Sequence, residues 1–260
     1  MTDLIYDCDR SRLGPALAAR FVPITRDAEL EDWLAHWTVR PNGWFKTHLG
    51  EVLSSFVSSY DAHGLLGSYP MHLLSSANWR DLLSDQHFAS LLDVGAGAGY
   101  VTDGARSSFD EIVCTETSPT LRRRLLARGF LVPELDLTVQ SLERRFDVVS
   151  CLNVLDRTAR PLTLLRQLIA HLEPGGRLLL SMPLPARAHV HVKGGTIAQS
   201  ERLPTLAADW ETAARELSER MIEPAGLQIE RLARAPYLSR GDLHAALYVL
   251  DAALWVCTRA

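Results

Sequence analysis

A chain of 260 residues that is 47% hydrophobic and 22% charged has the makeup of a globular protein with a substantial core. Its formal net charge of −4 offers no long-range attraction to a phosphate backbone, which argues against a nucleic-acid partner. Cys8, Cys114, Cys151 and Cys257 are scattered without a CxxC pair, so they give neither a metal site nor a disulfide framework and suit a reducing compartment. The first residues, MTDLIYDCDR, lack the basic start and apolar core of a signal peptide. No apolar run reaches the roughly 18 residues of a membrane span. A cytoplasmic monomer with no membrane partner is therefore expected.

Residues 1–85 show no convincing strand alternation. Helical spacing of apolar residues in SRLGPALAAR, DAELEDWLAHW, FKTHLGEVLSSFVSS and MHLLSSANWRDLL predicts an N-terminal helical extension, or cap, on a main domain at 86–260. From about residue 88, short apolar runs alternate with amphipathic stretches, which predicts an α/β fold with a doubly wound, Rossmann-like sheet. Seven strands are predicted: SLLDVG, EIVCTE, FLVPE, FDVVSCLN, GRLLLSMPL, LQIERLARAPY and ALYVLDAALWVCT. Helices are predicted over 99–107, 118–128, 160–172 and 206–222. Only a short connection that opens with LSRGD separates the last two strands, so they should form an antiparallel hairpin and not a further crossover. A mostly parallel sheet closed by an antiparallel C-terminal hairpin is the arrangement of class I methyltransferases, and it favours S-adenosylmethionine over NAD.

The stretch LLDVGAGAGYVT carries the cofactor argument. Asp93 ends the first strand of the main domain, and Gly95, Ala96, Gly97 and Gly99 turn the chain into the next helix. Glycine permits positive φ and lets a ligand lie against bare backbone. The spacing GAGAG is not the dinucleotide form G-x-G-x-x-G. Glu116, at the end of the second strand, is placed to accept hydrogen bonds from both ribose hydroxyls. The glycines alone would fit a structural turn equally well. With Glu116, the EPGG turn at 173–176 and the terminal hairpin, they point to bound S-adenosylmethionine.

The stretch SCLNVLDRTARPLTLL, together with LLDVGAGAGYVT, LLLSMPLP, RAPYLSRGD and YVLDAALWV, resembles the DREV family of methyltransferases. These are protein-histidine N-pros-methyltransferases acting on His-x-His motifs. The similarity is carried from about residue 40 to the C-terminus. It implies that Asn153 and Asp156 face the substrate imidazole, that Tyr237 and Tyr248 help line its pocket, and that Asp93, the glycines and Glu116 hold the cofactor. The partner implied is a protein or peptide containing His-x-His. Ala98 and the stretch LHAAL before Tyr248 depart from the family's usual residues.

The residues support that chemistry independently. Asn153 and Asp156 follow the fourth predicted strand, at the edge where open α/β sheets bind ligands. If Asp156 accepts one imidazole N–H, the other nitrogen keeps a lone pair for methylation. The carboxylate also favours the imidazolium that forms. Asn153 can orient the ring or hold the methionine end of the cofactor. No strong base is needed, because neutral histidine is nucleophilic near pH 7.

Plainer readings stand beside these. Asp156 fits equally a helix N-cap or a partner for Arg157. Tyr237 and Tyr248 fit strand packing. Cys151 fits a small core residue, and LRRRLLAR at 121–128 a solvated helix face. The segment HVHVKGG at 189–195 reads as a loop before a metal site, since no third ligand is evident. It is itself a His-x-His sequence, which leaves self-methylation open. Methylation of another small-molecule or peptide nitrogen, or a non-catalytic cofactor-binding module, are the rival functions.

Overall fold

The computed structural model describes residues 4–38, 48, 70–192, 195–241, 243 and 245–260. Its strands, in chain order, are β1 (Met71–His72), β2 (Phe88–Val94), β3 (Phe109–Thr115), β4 (Phe146–Leu152), β5 (Leu172–Pro183), β6 (Val190–Val192), β7 (Gly195–Ile197), β8 (Leu227–Arg240) and β9 (Leu247–Arg259). A 7-stranded sheet has the order β1-β8-β9-β5-β4-β2-β3, and β6 and β7 form a separate hairpin. The pairs β2–β3, β2–β4 and β4–β5 are parallel. The pairs β5–β9, β8–β9 and β1–β8 are antiparallel, so the sheet is mixed and closes with the expected hairpin.

Burial on both faces explains why the central strands read as apolar runs. Leu92, Val149, Cys151, Leu178, Leu180 and Trp255 join one core. Their strand neighbours Leu91, Val148, Leu179, Leu254 and Val256 join the other, as a period of two requires. Helices Pro119–Ala127, Pro161–Ala170 and Trp210–Leu217 agree with the helical spacing.

The sheet differs from expectation in which segment supplies its seventh strand. FLVPE forms only an isolated bridge between Leu131 and Val113; Pro133, which has no N–H to give a ladder, stops it from extending. The strand instead comes from MHLL, expected to be helical: Met71 pairs with Ser239 and His72 with Leu238, and a helix begins only at Ser76. The helix expected over 99–107 is a 3-10 helix, Thr102–Ser108. The long helix over 206–222 loosens into a π turn at Ser218–Ile222, where the Ser218 hydroxyl donates to the Ala214 carbonyl at 2.7 Å and accepts from the Trp255 indole at 3.0 Å. In the terminal hairpin the pairing runs past Tyr237 to Arg240 and Leu247, so β8 takes in the first three residues of LSRGD. FKTHLGEVLSSFVSS lies outside the described residues apart from His48.

Residues ahead of position 86 are tied into this sheet. Leu13, Leu17 and Phe21 lie in the first core, and Ile24, Leu73, Leu74 and Trp79 in the second. Val22 N–H donates to the Leu232 carbonyl at 2.8 Å, so the arm runs along β8. The N-caps of helices Ala28–Trp37 and Ser76–Leu82 are joined, since the Ser75 hydroxyl donates to Asp27. Among the described residues no helix is long and apolar enough to cross a membrane, and no group of His, Cys, Asp and Glu is arranged to hold a metal. Cys114, Cys151 and Cys257 are buried and Cys8 is half-buried.

Arg234 fastens the arm to the sheet. Its guanidinium donates to Asp251 at 2.9 Å, to Glu211 at 3.3 Å and to the Asp7 carbonyl at 3.1 Å, and lies over the Trp210 ring at 4.8 Å. Removing one partner of a buried ion cluster leaves the others uncompensated. Arg234→Ala should therefore lower the unfolding free energy by about 3–5 kcal/mol in a urea titration.

Candidate active site

A cavity of about 500 Å³ opens at the C-terminal ends of β2 and β4. Here the strand order reverses: the chain leaves β2 for β3 on one side and later enters β4 on the other. Such a switch point leaves a crevice between diverging loops. The turn after β2, the residues after β3 and β4, the segment 135–138, Tyr237 of β8 and Met71 of β1 supply its walls.

Asp93 holds this end of the sheet together. Its carboxylate accepts from the Ser150 hydroxyl of β4 and the Thr102 hydroxyl beyond the glycine turn, each at 2.6 Å. Burial pushes its pKa up and the two hydroxyls pull it back. Asp93 lines the cavity, but it acts chiefly by fixing the loop. The N–H groups of Gly95 and Ala96 both donate to the Thr115 carbonyl, at 2.9 and 3.2 Å, which closes the turn against β3.

Gly97 sits at φ +59°, and a Cβ there would meet nothing nearer than the Met71 methyl at 3.8 Å. That is open space beside bare backbone, as a ligand requires. Gly99 is different. It does not line the cavity, and a Cβ on it would come within 2.9 Å of both Leu125 and Phe130. The absence of a side chain at Gly99 lets the turn pack onto helix Pro119–Ala127.

Glu116 faces the cavity with its carboxylate fixed by backbone donors, Gly97 N–H at 3.0 Å and Ser118 N–H at 2.9 Å. A carboxylate is an acceptor with about four lone-pair sites, the chemistry that a ribose diol's two hydroxyls require. Asn153 lines the cavity at φ +57°, a left-handed conformation that asparagine tolerates better than most residues. Its side-chain oxygen accepts from the Ser181 hydroxyl at 2.8 Å, which fixes the amide and presents its nitrogen as the remaining donor.

The expected acceptor residues divide. Tyr237 is a wall residue, buried, with its hydroxyl donating to the Met71 sulfur. Asp156 is buried one step behind the wall, its Oδ2 lying 3.5 Å from the guanidinium of Arg157, which does line the cavity. Its Oδ1 meets no hydrogen-bond partner among the described residues. Burial raises the Asp156 pKa, and Arg157 opposes the rise. Arg157 also lies over the Tyr237 ring at 5.8 Å. Tyr248 does not reach the cavity. It pairs with Ser239, two residues beyond Tyr237, and is 38% exposed.

Three wall elements escaped the sequence reading. Asp136 opens an Asx turn, accepting from Thr138 N–H at 2.8 Å, and with Leu135 and Leu137 it forms a mixed polar and apolar wall suited to a base. Arg157 drew attention only as a partner for Asp156. Met71 was hidden in a supposed helix.

The model of the family described as DREV methyltransferase matches residues 5–259. The chain belongs to this family. The match includes residues 5–40, in which the sequence alone showed little of the resemblance. Among curated proteins, a ubiquinone biosynthesis O-methyltransferase of Xanthomonas campestris pv. campestris is 31% identical over 102 residues, 36% of this chain and 42% of that protein. One from Xanthomonas oryzae pv. oryzae is 28% identical over 123 residues, 43% of this chain and 51% of that protein. The chain thus spans about half the length of these relatives. The solved structure of a DhpI–SAH complex superposes with a TM-score of 0.50 at 16% identity, covering 82% of this chain and 97% of that one; this supports the fold. The methyl donor of this methyltransferase fold is S-adenosylmethionine, and the cavity of this DREV family member fits it: bare backbone at Gly97, an acceptor for a diol at Glu116, a base-sized wall at 135–138 and amide donors at Asn153.

If Glu116 holds the ribose, Glu116→Ala should weaken S-adenosylhomocysteine binding by about 1.5–3 kcal/mol, roughly ten- to hundredfold, in calorimetry. The Gly99→Ala variant should bind it near normally but lose about 1–3 kcal/mol of stability through strain at φ +79° and overpacking.

Proposed function

We propose that the protein transfers a methyl group from S-adenosylmethionine to the pros nitrogen of histidine in His-x-His segments of proteins or peptides. One observation carries the acceptor side of this reading: Asp156 Oδ1 is buried and without a hydrogen-bond partner among the described residues, beside the cavity-lining Arg157. An unpaired buried acceptor is costly to keep, and a donor arriving with a substrate relieves it. A neutral imidazole supplies one N–H and keeps one lone pair. Membership in the DREV family supports the same acceptor.

The bound cofactor supplies an electrophilic methyl carbon on a sulfonium. The chain's own residues supply position and charge. Glu116 and the Gly97 backbone hold the nucleoside side, and Asn153, fixed through Ser181, orients whatever lies between the two substrates. Asp156 accepts the imidazole N–H and stabilises the cation that develops as the ring is alkylated. Tyr237, Met71 and the apolar walls exclude water. Alignment of two bound reactants supplies a large part of such a rate enhancement.

Incubation with labelled methyl donor and a panel of His-x-His peptides, with mass-spectrometric mapping of the product, tests the reading. Methyl on a pros nitrogen is the expected outcome; methylation of small molecules alone would overturn it. Asp156→Asn should lower kcat a hundredfold or more, about 3 kcal/mol in the barrier, with S-adenosylhomocysteine affinity near normal.

The pH dependence has a definite sign. Burial raises the Asp156 pKa, so its carboxylate forms at higher pH than in an exposed aspartate. The acceptor must also be neutral, with a free pKa of about 6.5. Both requirements act on the acid limb. Accordingly kcat/KM should climb through roughly pH 6 to 7.5 and then level, in rate measurements at subsaturating peptide. A flat profile with methyl transfer rate-limiting would speak for a different acceptor.

A further inference from the structure

The chain carries its own His-x-His sequence, His189-Val190-His191, and the fold brings it to the acceptor side of the cavity. Val190 is a wall residue. The His189 N–H donates to the Asp156 carbonyl at 3.0 Å, and its imidazole lies near enough to the Asp156 carboxylate to act on its titration. The far end of the β6–β7 hairpin returns to the same loop. Gln199 donates to the carbonyls of Leu155 and Thr158, both at 2.8 Å, and Ser200 N–H donates to that of Ala159 at 2.9 Å. Strands of 3 residues each are marginal by themselves, so these docking bonds hold the hairpin in place.

Resting on the histidine-acceptor reading above, we propose that the β6–β7 hairpin is an internal mimic of the substrate, a resident His-x-His segment that an incoming peptide must displace to reach Asp156. The geometry does not make it a substrate. His189 Nδ1, its pros nitrogen, lies 2.6 Å from the Arg187 carbonyl oxygen. A carbonyl only accepts, so that nitrogen carries the hydrogen and has no lone pair to take a methyl group. Val190 and Arg157 both line the cavity, and each belongs to a segment in contact with Asp156: Arg157 through its guanidinium at 3.5 Å, and the hairpin through the His189 N–H. Displacing the hairpin would open this side of the cavity.

The test measures binding of a fluorescent His-Gly-His peptide to the full chain loaded with S-adenosylhomocysteine. His189→Ala should tighten that binding about three- to tenfold, because the competing internal state is weakened. A synthetic peptide of residues 186–199, added in trans, should compete with the fluorescent peptide and remain unmethylated in mass spectrometry. Unchanged or weaker binding in His189→Ala would overturn the mimic while leaving the acceptor reading intact, provided the wild type methylates the peptide. Methyl found on His189 after incubation with the methyl donor would also overturn it, by making the hairpin a substrate. If neither wild type nor variant binds or methylates any His-x-His peptide, the acceptor reading falls and the mimic with it.

Discussion

Asp93 is clamped between two hydroxyls at the place where the sheet reverses its winding, and the cavity depends on that clamp. Ser150 comes from β4 and Thr102 from the far side of the glycine turn, so one carboxylate fixes the separation of the two strands and the path of the loop between them. Without it, the ends of β2 and β4 would be joined only through their ladder, and the turn from Gly95 onward would be held only by its bonds to Thr115 and Glu116. Glu116 repeats the device on the other side of the loop, taking the Gly97 and Ser118 N–H groups. Two acidic residues therefore shape the floor before any ligand arrives, and both line the cavity.

The opposite wall is assembled from distant parts of the chain. Met71 reaches the cavity because a two-residue strand pairs with the end of β8, and the Tyr237 hydroxyl bonds to its sulfur. Arg234 and the Asp27–Ser75 link hold the preceding arm in register with that strand. The remaining wall is built from the loop after β4, whose Leu155 reaches into the first core, and from the β6–β7 hairpin docked on that loop through Gln199 and Ser200.

The sheet was legible where burial on both faces wrote itself as apolar runs, as in SLLDV, FDVVSCL and LLLSMPL. Asp93, Gly97, Glu116, Asn153 and Tyr237 were legible as cavity residues because they follow strand ends or carry a recognisable spacing. β1 was not, because two residues have no period and their pairing partner lies far along the chain. FLVPE looked like a strand from composition alone, and its proline made it stop at one bridge. Gly99 and Tyr248 share the spacing of true wall residues yet face elsewhere; only the packing of Leu125 and Phe130, and the register of β8 against β9, separates them. Asp136 and Arg157 were missed because each is defined by a loop path that no local pattern encodes.

The distribution of sulfur has a practical consequence. Cys114, Cys151 and Cys257 sit wholly within the cores, and burial raises all three thiol pKa values far above the ordinary range. The half-buried Cys8 is also pushed up, to about 11, chiefly by burial and then by Asp7. Thiolate is the reactive form, so the native fold withholds its core thiols from oxidants and alkylating reagents. The three core thiols become reactive only when the sheet itself opens. Their modification would thus act as a clock for global opening, recording how often the chain exposes its core without any probe having to be introduced.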